Sequence, residues 1–323
     1  MKYGSIILFL LIGLTAVKAQ VADSLNSVTA DGGQAYQVSD ELYYVYHKPK
    51  VFGFITNIPK NYVNLGKAAV KKENLKWFGL TAVSTGLLLK ADEHLLDAAE
   101  NLQNLGIEEN HHYGNVAGLF PYPKTTSSAL YYIGHGNTSL MIGVGFLAVG
   151  GMKKDYRAIH TSSEILEGIL TLGVLTQGLK RMFGRQSPYV RTEDGGHWEY
   201  FPNLKDYAKN TPNYDAMPSG HMATLTSTVT ILAKNYPEVK WIRPVGYTLM
   251  GVLGIEMMNS GVHWASDYPL GILIGYSVGS VVANSKITKV KADKFSRNST
   301  SITPQLILNR SYGDNLIGVG FTF

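Results

Sequence analysis

Cysteine is absent from the 323 residues of this chain, which excludes disulfide bonds and thiolate metal sites. Charged residues are scarce as well: Asp, Glu, Lys and Arg make up 16% of the sequence, against about 25% in a typical soluble domain. The net charge of +5 is diffuse, and no basic stripe is interleaved with aromatic residues, so a nucleic-acid partner is not expected. The hydrophobic share of 45% favours a helical protein in or against a membrane.

Several motifs of familiar enzyme classes are missing too. The sequence has no Walker pattern for nucleotide phosphates, and it lacks the G-x-S-x-G elbow that would make Ser219 a hydrolase nucleophile. His111, His112 and His197 lack the defined spacing and partners of metal ligands. We therefore expect neither a metal nor another cofactor.

The N-terminus has the layout of an export signal. Lys2 precedes an apolar run from Ile6 to Ala16, and small residues in Val17-Lys18-Ala19 fit a cleavage site before Gln20. We therefore expect a signal peptide at 1–20 and an exported protein, periplasmic or membrane-associated in the cell envelope. An uncleaved anchor is the alternative, although the apolar run is short for a membrane span.

Three further regions follow the signal peptide. Residues 21–73 are polar and then basic, residues 74–285 carry hydrophobic segments with interspersed small residues, and residues 286–323 hold a basic linker and a hairpin pattern. We expect loop or disorder at 20–45. The predicted fold class is mainly α, a six-helix bundle with a small C-terminal β-hairpin. The helices are expected at Leu75–Leu89, Ser128–Gly150, Ser162–Phe183, His221–Ala233, Ile242–Asn259 and Pro269–Ala283, and the strands at Ser301–Asn309 and Leu316–Phe323.

Two long connections, 91–127 and 184–217, are predicted to form the lid and walls of a functional site, because loops at one end of a rigid bundle commonly carry function. His135 falls inside the second predicted helix, where we expect a core histidine with its hydrogen bonds satisfied. The hairpin is expected to pack on the bundle.

Basic residues collect at the ends of the predicted helices away from those connections, as at Lys153-Lys154, Lys234 and Lys286. If the bundle crosses a membrane, the positive-inside rule places these ends in the cytoplasm and the site in the periplasm. A cleaved signal followed by six crossings predicts the opposite orientation. Either the bundle is soluble or peripheral, or one segment such as Leu75–Leu89 does not cross fully. The oligomeric state is not indicated.

The most informative motif is Pro218-Ser219-Gly220-His221, which predicts a turn leading into a helix. Ser219 suits the N-cap position, where its oxygen accepts a backbone N–H. Gly220 lets the backbone approach a ligand closely. The first N–H groups of the helix, at the positive end of its dipole, form an anion site. His221 can exchange a proton beside that anion near neutral pH.

A second histidine lies about forty residues further on, in His263-Trp264-Ala265-Ser266-Asp267. Asp267 follows His263 by four residues, close enough to hold one tautomer of its ring. Two histidines, an orienting carboxylate and a phosphate-sized cradle together indicate phosphoryl transfer through a histidine nucleophile.

These residues resemble the type 2 phosphatidic acid phosphatases, a family that shares its site with the vanadium haloperoxidases. The family carries three motifs, K-x6-R-P, P-S-G-H and S-R-x5-H-x3-D. The second is complete here at Pro218 to His221, the third keeps His263 and Asp267, and the first aligns Lys180 and Pro188. The resemblance covers roughly residues 75–285.

The resemblance implies a role for each matched residue. His263 would attack phosphorus and form a phosphohistidine, Asp267 would hold its ring, and His221 would protonate the leaving oxygen and then activate water. The backbone N–H groups of Ser219 and Gly220 would stabilise the phosphate oxygens together with Lys180. The substrate would be a lipid-linked phosphate or pyrophosphate, or a small phosphoester, and a membrane partner is expected.

The sequence departs from the family at both motif arginines. Ser187 stands at the first-motif arginine, and Met257 and Glu256 stand at the third-motif arginine and serine. In the family those arginines bind phosphate oxygens through charge-assisted hydrogen bonds. Arg185 lies two residues before the missing first arginine, and we expect it to bind phosphate instead.

Two other functions stay open at this point. One is a catalytically weak or inactive envelope protein that keeps the fold and binds phosphorylated lipid, motivated by Ser187 and Met257. The other is vanadate-dependent halide oxidation on the same scaffold, which we rank low because that chemistry also depends on the arginines.

Overall fold

The computed structural model describes residues 32–101, 110–116, 120–291, 303–311 and 314–322, with the backbone alone in the last two ranges and at 116 and 120. The predicted signal peptide at 1–20 lies outside the described residues. The chain divides into two compact units, one formed by Met1–His47 with Thr288–Phe323 and the other by Lys48–Ile287. Seven strands are described: β1 Gln34–Ser39, β2 Leu42–Tyr46, β3 Tyr113–Val116, β4 Phe120–Pro123, β5 Thr288–Lys291, β6 Thr303–Ser311 and β7 Asp314–Thr322.

The first unit contains a three-stranded antiparallel sheet in the order β1-β2-β5. The expectation of loop or disorder at 20–45 is therefore wrong for the residues of this range that lie in β1 and β2. The cause is long-range pairing: aromatic and β-branched residues of β2 gain a partner strand from residues 288–291, and Val45 and Tyr46 become fully buried.

The second feature of this unit is the predicted C-terminal hairpin. β6 and β7 pair antiparallel from Thr303↔Thr322 to Ser311↔Asp314. The strands are two residues longer at the turn than the sequence pattern indicated. This hairpin and the helical unit confirm the predicted fold class.

The helical unit contains eleven α-helices within the described residues: α1 Gly53–Thr56, α2 Ile58–Ala69, α3 Lys72–Leu89, α4 Asp92–Glu100, α5 Thr126–Tyr132, α6 Gly136–Lys153, α7 Tyr156–Phe183, α8 Leu204–Lys209, α9 Gly220–Asn235, α10 Ile242–Asn259 and α11 Tyr268–Asn284. Five of the six predicted long helices appear as single helices. The additional helices lie mostly in segments that were expected to be surface chain or connections.

The predicted helix at Ser128–Gly150 is wrong as one element, because the structure divides it into α5 and α6. A Cβ at Gly134 would lie 2.5 Å from a methyl carbon of Leu253 and 2.9 Å from the Cβ of His221, so the chain at the break approaches α9 and α10 closely. His135 is the N-cap of α6, where its Nδ1 accepts the N–H of Asn137 at 3.2 Å. It is therefore a capping residue rather than a histidine inside a helix.

The helices α7, α9 and α11 form the centre of the unit, flanked by α6 and α10. One apolar cluster joins α9 to α10 through Met222, Leu225 and Leu253. Another joins α7, α9 and α11 through Leu172, Ala223, Ile274, Val278 and Val282. These contacts bring the start of α9, the end of α7 and the start of α11 to one end of the bundle.

A glycine stripe sets the distance between α9 and α11. Cβ atoms added at Gly271, Gly275 and Gly279 would lie 2.7, 2.3 and 2.7 Å from backbone carbonyl oxygens of α9 or its N-cap. Only glycine permits this approach, because any side chain would overlap the facing backbone. The stripe therefore fixes the start of α11 against the start of α9.

None of the helices within the described residues is both long enough and apolar enough for a bilayer crossing.

The two long connections have structure of their own. Residues 91–127 contain α4 and the β3–β4 hairpin, and residues 184–217 contain α8 and short 3-10 turns at Pro188–Val190 and Thr211–Asn213.

Candidate active site

The turn before α9 is built as an open helix N-terminus. Ser219 is the N-cap, and its Oγ accepts the N–H of Met222 at 3.3 Å. The first N–H groups of a helix have no acceptor within the helix, so those of Gly220 and His221 face outward along its axis. The Ser219 N–H donates to the carbonyl oxygen of Asp267 at 3.2 Å, which ties this turn to the second motif.

The two histidines converge at this turn. The ring centroids of His221 and His263 lie 6.3 Å apart, with an angle of 67° between the ring planes. The His263 ring is only 2% exposed, whereas His221 remains partly exposed. The rings belong to α9 and to the loop after α10, so only the packing of these helices brings them together.

Asp267 is the carboxylate that faces the His263 ring. The Nδ1 of His263 is 3.4 Å from Oδ2 of Asp267, a contact longer than a well-formed hydrogen bond. The same Oδ2 accepts the backbone N–H of Trp264 at 2.9 Å. Burial alone would raise the pKa of Asp267, but Arg185 and His263 outweigh burial and lower it, so Asp267 is a carboxylate.

The Arg185 guanidinium is fully buried and has no free donor. Its Nη1 donates to Asp267 Oδ1 at 2.7 Å and to Ser266 Oγ at 2.6 Å. Its Nη2 donates to Asp92 Oδ2 at 2.7 Å and to the carbonyl oxygen of Gly195 at 2.8 Å, which also accepts from Nε at 3.1 Å. These bonds use all five hydrogens that a guanidinium can donate. The expectation that Arg185 binds phosphate is therefore corrected: it contacts the orienting carboxylate instead.

Lys180 lies beside the first turn of α9. Its Cε is 4.0 Å from where a Cβ would stand on Gly220, and its Nζ is 3.2 Å from Oδ2 of Asp215. The side chain is 7% exposed. Among the four residues expected to bind phosphate, Lys180, Ser219 and Gly220 therefore meet at the helix N-terminus.

His221 is neutral in the absence of a ligand. Burial lowers its pKa well below the usual value, and His263, Lys180, His135 and His111 lower it further because a proton on His221 would be repelled by theirs. A bound phosphate would reverse part of this effect by adding negative charge beside the ring. The ring is thus prepared to gain a proton when an anion arrives.

Comparison with protein families identifies the central part of the chain. The model of the PAP2 superfamily matches residues 162–291, the range that contains Lys180, the Pro218–His221 turn and the His263–Asp267 pair. The chain is therefore similar to the PAP2 superfamily over this segment.

Individual relatives of this PAP2 segment are more distant. The lipid A 1-phosphatase of Porphyromonas gingivalis is 34% identical over 68 residues, a match that covers 21% of this chain and 15% of that protein. Aquifex aeolicus LpxE is a solved structure with 22% identity and a TM-score of 0.37, covering 49% of this chain and 83% of that one. A PAP2 type phosphatidylglycerolphosphate phosphatase from Bacillus subtilis has 16% identity and a TM-score of 0.36, covering 78% and 99%.

The two departures from the PAP2 motifs occupy buried positions. Met257 is fully buried in the apolar cluster between α9 and α10, and its Sδ is 3.6 Å from the Ser219 hydroxyl. Ser187 is 2% exposed, and its N–H donates to the carbonyl oxygen of Pro212. Neither position presents a cation to the histidines.

Tyr131 and His111, which lie outside the motifs, also border the site, and the sequence pattern assigned them no role there. The Tyr131 ring lies 4.1 Å from the His111 ring and 4.3 Å from the His221 ring, measured between centroids. Glu256 Oε1 is 3.1 Å from His111 Nε2 and accepts the Ser127 hydroxyl at 2.6 Å. Burial raises the pKa of Tyr131, so it stays protonated. Adjacent histidines in a polar loop carry no signal that would place one of them here.

Within the described residues, His, Asp and Glu side chains form no group of three or more with an arrangement able to hold a metal ion. The His197 ring instead pairs with the exposed Glu193 at 2.8 Å.

Proposed function

We propose that this protein is a phosphatase that hydrolyses a phosphate ester or pyrophosphate through a phosphohistidine intermediate. The observation that carries the proposal is the 6.3 Å separation of the His221 and His263 rings at the open N-terminus of α9. That separation is about twice a hydrogen-bond reach of ~3 Å, so one phosphoryl group between the rings contacts both. The PAP2 match over residues 162–291 supports the same chemistry.

In the first step His263 is the nucleophile. Its Nδ1 faces Asp267, so Nε2 is the nitrogen that attacks phosphorus. The P–O bond to the leaving group breaks as the P–N bond forms, and His221 donates its proton to the leaving oxygen. The carboxylate of Asp267 stabilises the positive charge that develops on the His263 ring.

In the second step water replaces the imidazole. His221, now neutral, accepts a proton from water as the oxygen attacks phosphorus. The P–N bond breaks, its electron pair returns to Nε2 of His263, and inorganic phosphate leaves. The enzyme then holds the same protons as at the start.

The phosphate oxygens are stabilised by groups that are already in place. The N–H groups of Gly220 and His221 and the ammonium of Lys180 lie at the same helix end. Preorganised donors of this kind lower a barrier without reorganising during the reaction. We assign Ser219 to the cap that holds this turn rather than to phosphate binding, because its N–H donates to the carbonyl oxygen of Asp267 and its hydroxyl accepts the Met222 N–H.

We further propose a lipid-linked substrate and association with a membrane in the cell envelope. Two observations support this. The matched relative in Porphyromonas gingivalis is named a lipid A 1-phosphatase. In addition α3 has no buried residue and exposes large apolar side chains, among them Leu75, Trp77, Leu80, Val83 and Leu87. Exposed apolar patches of this kind mark interaction surfaces.

Phosphate release tests the proposal directly. Purified protein is assayed with an aryl phosphate, phosphatidic acid, phosphatidylglycerolphosphate and lipid A. We expect release from at least one lipid substrate and complete loss in His263→Ala. The exposed His197, whose ring pairs with Glu193, offers a matched control: His197→Ala should keep wild-type activity.

The intermediate has its own test. Rapid quenching in alkali after mixing with ³²P-labelled substrate should leave an alkali-stable, acid-labile label on the wild-type protein and none on His263→Ala. A label retained by His263→Ala would overturn the assignment of the nucleophile.

A second candidate function is a protein that binds phosphorylated lipid with little or no turnover. The observation that favours it is the burial of Met257 and Ser187, together with the complete use of the Arg185 donors. Equal silence of wild type and His263→Ala on all substrates, with retained binding to phosphorylated lipid, would establish this function instead.

A further inference from the structure

One of the groups that hold the Arg185 guanidinium against Asp267 lies outside the PAP2 segment. Asp92 is the first residue of α4, 70 residues before the segment that matches the family begins. Its carboxylate is 1% exposed and contacts both Arg185 and Ser266. Neither the motifs nor the family match assigns it a role.

The contacts of Asp92 are complete on both oxygens. Oδ1 accepts the backbone N–H of Ser266 at 3.0 Å. Oδ2 accepts Nη2 of Arg185 at 2.7 Å and the hydroxyl hydrogen of Ser266. The Ser266 oxygen in turn accepts Nη1 of Arg185 at 2.6 Å, so the three groups form a closed ring of hydrogen bonds.

This ring leads to the nucleophile through one further residue. Arg185 Nη1 also donates to Asp267 Oδ1 at 2.7 Å, and the other oxygen of Asp267 faces His263 Nδ1 at 3.4 Å. The chain of contacts is therefore carboxylate, guanidinium, carboxylate, imidazole. The guanidinium carbon also lies over the Trp198 and Trp264 rings, 4.8 and 5.0 Å from their centroids, within cation–π distance.

We propose that Asp92 is a positioning residue for the reaction, which shares the Arg185 charge so that Asp267 keeps a net negative charge toward His263. Two carboxylates on one guanidinium leave the cluster with one negative charge. Without the charge of Asp92, the Arg185 guanidinium would pair with Asp267 as its one carboxylate, and the cluster would carry no net charge. The imidazolium that forms when His263 attacks phosphorus would then lose its counter-charge. The inference rests on the proposed phosphatase function.

The titratable groups near the His263 ring form a connected set. Asp267 faces its Nδ1, Arg185 contacts Asp267, and Asp92 contacts Arg185, while the His221 ring lies 6.3 Å from the His263 ring with Lys180 nearby. Of these, Asp92 contacts neither His263 nor the expected position of the phosphate. A change in the His263 ring on altering Asp92 therefore has to pass through Arg185 and Asp267.

Three variants separate charge from packing. Asp92→Asn removes the charge and keeps the size. Arg185→Gln removes the opposite charge from the same cluster. Ser266→Ala breaks the hydroxyl links and leaves all charges in place. Far-UV circular dichroism first confirms that each variant is folded.

The primary readout is the NMR titration of the His263 ring in labelled protein without substrate. We expect the titration midpoint to move to lower pH in Asp92→Asn, to higher pH in Arg185→Gln and to stay in place in Ser266→Ala. Opposite shifts from two neighbouring changes cannot come from loosened packing. If Asp92→Asn does not fold, Asp92→Ser is titrated in its place, and its midpoint should also move to lower pH.

The kinetic readout uses a substrate from which the wild-type protein releases phosphate in the assay described above. We expect kcat of Asp92→Asn to fall on the order of 10–100-fold, the size of effect that a misplaced catalytic group produces, with KM within about threefold of wild type. An unmoved titration midpoint in Asp92→Asn, or shifts of the same sign in all three variants, would overturn the proposal. The titration needs no substrate, so a failure of the phosphatase function is seen separately, as absence of phosphate release from wild type.

Discussion

At the scale of single residues, burial and neighbouring charges set the protonation state of His221, the proposed proton donor. The pKa of His221 is lowered by burial first and then by His263, Lys180 and two more histidines. His221 is therefore largely unprotonated at neutral pH in the free protein. The proposed first step needs a proton on this ring, so the free protein is competent only in a minor protonation state.

This gives a direction for the pH dependence. Because the pKa of His221 lies below its usual value, the protonated fraction grows as pH falls. We expect kcat/KM to rise as the pH is lowered from neutrality, until protonation of the substrate or of the nucleophile reverses the trend. A profile of kcat/KM against pH with a fixed aryl phosphate measures it. A rate that increases steadily above neutral pH would contradict the role of His221 as acid.

Replacing Lys180 tests the same electrostatics in a second way. In Lys180→Met one of the charges that lower the pKa of His221 is gone, so that pKa rises and the alkaline limb of the kcat/KM profile moves to higher pH. KM should also rise, by about 10-fold or more, because a charge-assisted contact to phosphate is worth about 1.5–3 kcal/mol. Lys205→Met, an exposed lysine on α8, serves as the control and should behave as wild type. An unmoved alkaline limb would remove Lys180 from the surroundings of His221.

At the scale of elements, the site depends on how closely α11 approaches α9. The Gly271, Gly275 and Gly279 stripe brings backbone against backbone, and the N–H of Ser219 then reaches the carbonyl oxygen of Asp267. Helix spacing and catalytic geometry are therefore coupled. A helix held further away would separate Asp267 and His263 from the N-terminus of α9.

Gly275→Ala measures this coupling. Its Cβ would lie 2.3 Å from the carbonyl oxygen of Ala223, so the helices must move apart. We expect a loss of about 1–3 kcal/mol in the free energy of unfolding, typical of overpacking, with a drop in activity. Gly251→Ala is the matched control because nothing lies within 4 Å of its added Cβ. It should be stabilising by up to ~1 kcal/mol through helix propensity. Denaturant unfolding compares the two, and equal stabilities would refute the close-packing argument.

At the scale of the whole molecule, the exposed apolar faces are the feature that the fold leaves unexplained. α3 exposes more than half of the side chains of Leu80, Val83 and Leu87, and α6 exposes Met141, Val144 and Met152. Leaving such side chains in water gives up about 1.5–3 kcal/mol each relative to burial. A lipid surface would recover part of this free energy.

Vesicle flotation tests that association. We expect wild-type protein to float with phospholipid vesicles and Leu80→Asp with Val83→Asp to float less, because a carboxylate at either position must be taken out of water. The exposed Asn210, on the connection at 184–217, supplies a control for a carboxylate added outside α3, and Asn210→Asp should float as wild type. Flotation that is unchanged in the double variant would exclude α3 as the lipid-binding face.

Much of the helical unit was predictable because its signals are local. The ends of α10 at Ile242 and Asn259 agree with the sequence prediction, and the N-cap of α9 at Ser219 follows from the turn motif. The four-residue spacing of His263 and Asp267 likewise indicated their contact. Apolar periodicity, capping residues and short spacings act within a few residues, so they can be read without the fold.

The remainder was decided by pairings between distant residues. The partner of Arg185 is Asp92, 93 residues earlier, and nothing near Asp92 indicates that its carboxylate is buried. Strand β2 gains its second neighbour from β5, about 240 residues later in the chain. The arginine beside the broken motif was expected to bind phosphate for the same reason: charge and spacing do not tell which acceptors surround a guanidinium.

The amino-acid sequence by itself determined the helical class, the open turn at Ser219–Gly220 and the identity of the two histidines and their carboxylate. Each of these depends on the residue types and conformational preferences of neighbouring residues. The tertiary structure alone decided that the imidazoles meet, that Arg185 is used up by Asp92, Ser266, Asp267 and Gly195, and that α5 and α6 separate at Gly134. The physical reason is that burial and close packing assign partners, and a buried donor binds whichever acceptors the fold leaves within its reach.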